Sequence, residues 1–207
     1  MHRALRRLGR FPQAADGAAA VEFAIILPVM ALLYLGTTEV TTLLMMDRKV
    51  TIATHMMSDI MGRSSKLDPQ TLEQVVAVGN TILAPFDASD LTVTITSVVV
   101  REVGGNGKGP KAKPDVEARV CWSRKSKGRG KALGHGRAEN ELISTLPAGF
   151  DVPGMSFTLT EVENLYKPMV GDAITGEIRL TEIMAQPARG DDQVEYDGKK
   201  CPTGKNS

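Results

Sequence analysis

Residues 17–38 read GAAAVEFAIILPVMALLYLGTT, and from Ala18 to Thr38 the only charged side chain is Glu22. About 20 apolar helical residues cross a hydrocarbon core ~30 Å thick, so these 21 residues can span a bilayer once. Arg3, Arg6, Arg7 and Arg10 precede the run, with Asp16 the one acid among them. The positive-inside bias places that head in the cytoplasm and everything after Thr38 across the membrane. A cleaved secretory signal would carry a shorter apolar run with small residues after it. Here the small residues, Gly17 to Ala20, come before the run. A helix buried in a soluble core would keep a polar face, whereas Phe23 to Gly36 is apolar all round.

Composition agrees with one domain plus an appendage. The chain has 207 residues, 42% of them hydrophobic, 24% charged and 4% aromatic. Lys and Arg number 25 against 24 Asp and Glu, a net charge of +1, so the overall field gives no reason to expect a nucleic-acid partner. No catalytic residue is assigned. His2, His55 and His135 are scattered, no spacing suits a metal, and no G-x-S-x-G elbow or phosphate-binding G-x-x-x-x-G-K-[ST] order occurs. No cofactor is expected.

Glu22 needs a reason, because a carboxylate in a membrane helix is costly and marks a functional position by default. If the chain is cut after Gly17, the new α-amino group of Ala18 lies four residues before Glu22, on the same helix face. Amine and carboxylate then meet in an apolar setting, within one chain or between neighbours. The plainer reading is that Glu22 sits near the interface and reaches for water.

The order of basic leader, Gly17, AAAVE with the acid fifth after the glycine, and a long apolar helix resembles the processing site of type IV prepilin-like proteins. Within that group, DGAAAVEFAIILPVMALLYLGTTEV is similar to the TadE-like pseudopilins of the tight-adherence (Flp) pilus system. Softer matches are ILAPFDASDLTVTITSV, the CWS segment, EVENLYKP and Cys201; QPARG at 186–190 departs from a Pro-Arg pair common in the family. The resemblance implies cleavage between Gly17 and Ala18 by a prepilin peptidase, with Glu22 as the assembly acid. It also implies, as partners, other Tad pilins or pseudopilins and an inner-membrane assembly platform, and, after assembly, a place in the pilus or at the cell surface.

Past Thr38 no glycine or proline occurs until Gly62, so a helix is expected from Ala18 to Met61, about 66 Å at 1.5 Å per residue. It must project beyond the bilayer. Pro28 removes a backbone hydrogen bond and is expected to kink it within the membrane. Met45, Met46, Met56, Met57 and Met61 suit packing on the chain's own domain or on a partner. A second, amphipathic helix fits Thr71 to Leu83, capped by Asp68 or Thr71.

Alternation then marks strands. Leu91, Val93 and Ile95 alternate with threonines in a strand with one buried face, Val116 to Trp122 alternate likewise, and GGNGKGPKAKP between them reads as a long hairpin loop. Phe157/Leu159 and Ile178/Leu180 suggest two more. The expectation is an α+β fold: a basic leader (1–17), a transmembrane and projecting helix (18–61), a periplasmic domain with a mostly antiparallel sheet of about four strands (62–199), and a tail (200–207).

In an oxidising periplasm, Cys121 and Cys201 can bridge and staple the tail to the sheet, closing a loop of about 80 residues for roughly 4 kcal/mol. Two free thiols, or a disulfide to another chain, stay open. The run from Ser123 to Arg137 holds six cations and no acid and reads as a solvated loop. Asp191 and Asp192 read as charges of a solvated segment.

Two functions follow. One is a pseudopilin clipped after Gly17 and assembled through its apolar helix. The other is an uncleaved single-pass inner-membrane protein whose domain binds a ligand or envelope polymer.

Overall fold

A computed structural model describes residues 15–103, 115–128, 131–169, 176–189 and 193–201. Residues 1–14 of the basic leader, the expected loop 104–114, Asp191 with Asp192, and the tail beyond Cys201 lie outside these residues.

One helix organises the molecule. α1 runs Ala15–Arg63, 49 residues, and contains Pro28 without ending there. Its domain-facing positions are Glu39, Leu43, Met46, Val50, Ala53 and Met57. They are spaced four and three residues apart in turn, so they form one stripe along the helix. Met46, Val50, Ala53, Met57 and Met61 are buried in the main core. α2 (Pro69–Leu83) begins at Asp68, whose carboxylate accepts from the Thr71 amide at 2.6 Å. This bond to an orphan amide holds the Asp68 carboxyl below its ordinary pKa. The last turn of α2 leaves carbonyls unpaired within the helix. Lys49 of α1 donates to the carbonyls of Ile82 (2.9 Å) and Ala84 (2.5 Å), tying the two helices together at that point. Leu72, Val75, Val76 and Leu83 of α2 join the same core.

The sheet is larger than the alternation suggested. Its path is β4 (Lys131–His135), β3 (Val116–Lys127), β2 (Thr92–Glu102), β6 (Ser156–Tyr166) and β7 (Ile178–Pro187), with β5 (Leu142–Ile143) also paired to β3. All these pairings are antiparallel. Among the described residues six strands replace the expected four or so: the basic stretch is not a loop in its described part, since β3 continues through Lys127 and β4 pairs back on it, and the short β5 adds the sixth. Apolar alternation stops at Trp122 since the inward positions are then taken by small polar residues. Ser123 and Ser126 are buried, and Ser123 shares a 2.8 Å hydrogen bond with Thr96 of β2. β2 is likewise buried on both faces, not one. Val93 and Ile95 meet the helices, while Val98 and Val100 meet a second cluster with Ala118, Phe157 and Leu159, against which Ile143, Leu146 and Phe150 pack. Phe150 meets Phe157 edge-on at 4.8 Å. The central place of β2 in the sheet imposes this, since the chain after β5 covers its far face.

A short parallel ladder joins β1 (Lys66–Leu67) to β8 (Glu195–Tyr196). Cys121 and Cys201 form an intramolecular disulfide. The C-terminal segment therefore has more holding it than sulfur. Val194 and Tyr196 are buried, the Trp122 indole donates to the Val194 carbonyl at 2.9 Å, and Arg124 lies 4.3 Å over the Tyr196 ring.

Strands and α1 run alongside one another. At one end Tyr166 of β6 donates to a Glu39 carboxylate oxygen at 2.9 Å, and the Met169 amide donates to the same oxygen at 2.7 Å. At the other, the Arg189 amide donates to the Gly62 carbonyl at 2.8 Å. Gly62 has no room for a side chain, as a Cβ would lie 2.6 Å from Gln186. From Glu39 to Gly62 the helix rises about 35 Å at 1.5 Å per residue, close to the length of an eleven-residue strand at about 3.3 Å each.

The division of the methionines is testable by thermal or urea unfolding of the purified chain. Met57→Ala, which empties a fully buried site, is expected to destabilise by about 2–5 kcal/mol, whereas Met56→Ala on the exposed side should change stability by less than about 0.5 kcal/mol. Burial, then the Glu39 carboxylate, push the Tyr166 hydroxyl up to about 12. The folded chain thus holds this proton more tightly than the unfolded one, whose tyrosine titrates near 10. Stability from this contact is complete below about pH 10 and declines as pH rises towards 12. Phenolate absorbance should show a step near pH 12 that Tyr166→Phe removes.

Candidate functional site

Residues 17–38 of α1 are exposed along their whole length. Val21, Phe23, Ile25, Ile26, Leu27 and Val29 through Leu35 are all exposed, an apolar surface with no partner among the described residues. This helix is long and apolar enough to cross a membrane, and none of its most apolar window is buried within the protein. Large exposed apolar areas mark contact with lipid or protein. Where the run ends, Thr37, Thr38, Thr41 and Thr42 donate their hydroxyls at 2.8 Å to carbonyls three or four residues back. Their polarity is therefore satisfied inside the helix, as a segment at the edge of a bilayer requires.

Gly17, Ala18 and Glu22 all lie on this exposed half. Gly17 and Ala18 fall in the opening turns of α1, with space around Gly17 for a Cβ. Glu22 is one turn further and exposed. Pro28 is on the same segment. Cys121 and Cys201 belong elsewhere, beneath the C-terminal segment. Among the described residues no group of three or more His, Cys, Asp or Glu gathers in a way that holds a metal.

Beyond Thr38 the apolar surface does not stop. Opposite the buried stripe, Val40, Leu44, Ile52 and Met56 stand exposed in one i,i+4 row, interrupted by Arg48, with Met45 beside it. Such a row is the ridge by which helices pack on one another. The methionines divide: Met46, Met57 and Met61 fill the core, while Met45 and Met56 face outward.

Glu39, Tyr166 and Met169 were not singled out from sequence. The four-three spacing that runs from Glu39 through Met57 is the signal that would have put Glu39 on the domain side of the helix. Nothing in the sequence names its partners, which lie 127 and 130 residues away.

Comparison with known proteins adds one match, to the family model described as TadE-like protein, over residues 17–56. Neither the curated proteins nor the solved structures searched gave a match. The matched stretch opens at Gly17, covers the apolar run, and closes at Met56, the last residue of the exposed row. Over that stretch, the membrane-length helix and the first part of its extension, the chain is similar to the TadE-like family.

Proposed function

We propose that the chain is a pseudopilin, or minor pilin, acting in assembly of tight-adherence pili, clipped after Gly17 by a prepilin peptidase. The observation that carries this reading is the exposed apolar row of α1, which extends the lipid-type surface from the span along the outer side of the projecting helix to Met56. A simple anchor has no use for apolar side chains past the membrane. A subunit whose helix leaves lipid to lie among other helices does, because association there removes apolar surface from water.

In this reading the arginine-bearing head stays in the cytoplasm, the helix is held in the inner membrane, and the α+β domain stands in the periplasm. Cleavage frees an amine at Ala18, and Glu22 answers it, in the same chain or in a neighbour. Paired, the two charges satisfy one another; a lone carboxylate among packed apolar helices is strongly unfavourable. The partners are the peptidase, other Tad pilins or pseudopilins, and the membrane-embedded assembly machinery. The chain's role is structural, with binding surfaces and no reaction of its own.

Mass spectrometry of the protein isolated from its own cells tests the processing step. A mature chain beginning at Ala18 is expected; an intact Met1, or a cut beyond Gly36, supports the uncleaved anchored module. Gly17→Val should leave the precursor unprocessed. Glu22→Ala should be processed normally yet enter assemblies about tenfold less well, equivalent to ~1.4 kcal/mol. Normal assembly of both variants would remove the mechanism.

A further inference from the structure

We propose that the periplasmic domain rests directly on the bilayer, with the β6–β7 end of its sheet seated in the headgroup layer and Met169 pressed into that layer. This surface concerns the membrane-resident state and rests on the reading of residues 18–38 as a span.

Height along the helix sets where this rim lies. Glu39 follows the last residue of the apolar run, so it lies about 1.5 Å beyond the end of the run along the helix axis. Its carboxylate is held by the Met169 amide and the Tyr166 hydroxyl, so both are pinned at the height where the hydrocarbon ends. The interfacial layer on each side of a bilayer is about 5–8 Å thick. Groups attached at Glu39 have no spacer to lift them clear of it. The tether is also rigid, because the same helix continues into the buried core at Leu43 and Met46.

The chemistry of this rim fits the place. The Met169 side chain, three residues past the end of β6, is 92% exposed, an unusual position for a large apolar group. Thioether side chains adapt to irregular apolar surroundings. Met169 is the apolar group offered to the layer, since Tyr166 is itself buried and serves to fix the height through Glu39. Lys167 beside it is paired with Asp90 at 3.1 Å and Glu177 at 3.5 Å. Lys127 also reaches Asp90, at 3.9 Å, so these four charges cancel, and the contact depends on height and apolar insertion more than on anionic lipid. At the opposite end of the sheet, Val152 is also exposed, but it lies on the loop whose Gly154 amide donates to Val100, far from Glu39.

The test uses the full chain in phosphatidylcholine nanodiscs. Its two cysteines are already joined, so an introduced one is the single free thiol. Spin labels are placed through Met169→Cys, Val152→Cys and Leu33→Cys, and collisions with oxygen and with a water-soluble nickel chelate are measured. The Leu33 label is expected in oxygen-rich, chelate-free surroundings, which checks the span itself. With that in place, the Met169 label should be several-fold less open to the chelate than the Val152 label. Adding Glu39→Gln, which keeps the side chain's shape and removes its charge, should raise chelate access at position 169 while leaving position 33 unchanged. Equal access at 169 and 152, with Leu33 in lipid, overturns the proposal and spares the span. Chelate access at Leu33 overturns the span reading.

Discussion

The whole architecture depends on how α1 divides its surface. A single continuous helix carries two surfaces: one end is long and apolar enough to cross a membrane, and the other fills the core of the domain. Along residues 43–61 it gives one stripe to the sheet and α2. Had the opposite side been polar, the helix would be an anchor that happens to support a domain. Instead it keeps Val40, Leu44, Ile52 and Met56 exposed. Exposed apolar groups carry a standing cost in water, and their arrangement as one ridge gives that cost a purpose, since a ridge packs against a helix.

The same division aligns everything else. Because strands β6 and β7 run beside α1, the domain's two ends are fixed by helix positions: Glu39 at one, Gly62 at the other. Lys49 closes the end of α2 between them. These contacts come from distant parts of the chain, and each meets a polar group that would otherwise lack a partner. The domain thus has one orientation on the helix, and the helix in turn fixes how the domain meets whatever surrounds the span. The disulfide, together with the packing of Tyr196 on Trp122 and Arg124, secures the C-terminal segment to the same body.

Much of this was legible in the residues. The long helix could be read because a run of apolar residues without breakers leaves few alternatives, and Asp68 before Pro69 marks the start of α2. The four long strands were visible wherever Val, Ile and Leu alternate with polar residues. β4 and the end of β3 were hidden, since Ser123 and Ser126 fill inward positions in a row of lysines and arginines. Hydropathy reads such a row as solvent-facing, and only the neighbouring β2, unknown from local sequence, makes it a strand. Gly17, Ala18 and Glu22 could be found as a pattern because their spacing is local. The contact of Glu39 with Tyr166 and Met169 could not, as it is a property of the assembled fold. The outward ridge was present in the helical periodicity, yet its meaning depended on learning which methionines the core takes.

The most direct measurement of the central claim is site-specific photocross-linking in cells that build the assembly, with the photoreactive residue placed in turn at Leu44, Ile52 and Met56 on the outer ridge and at Val152 on the far loop. The account predicts adducts from all three ridge positions that map to apolar helices of neighbouring chains, and none of that kind from Val152. Ridge positions that yield only solvent-quenched probe, or adducts no different from those of Val152, would contradict it.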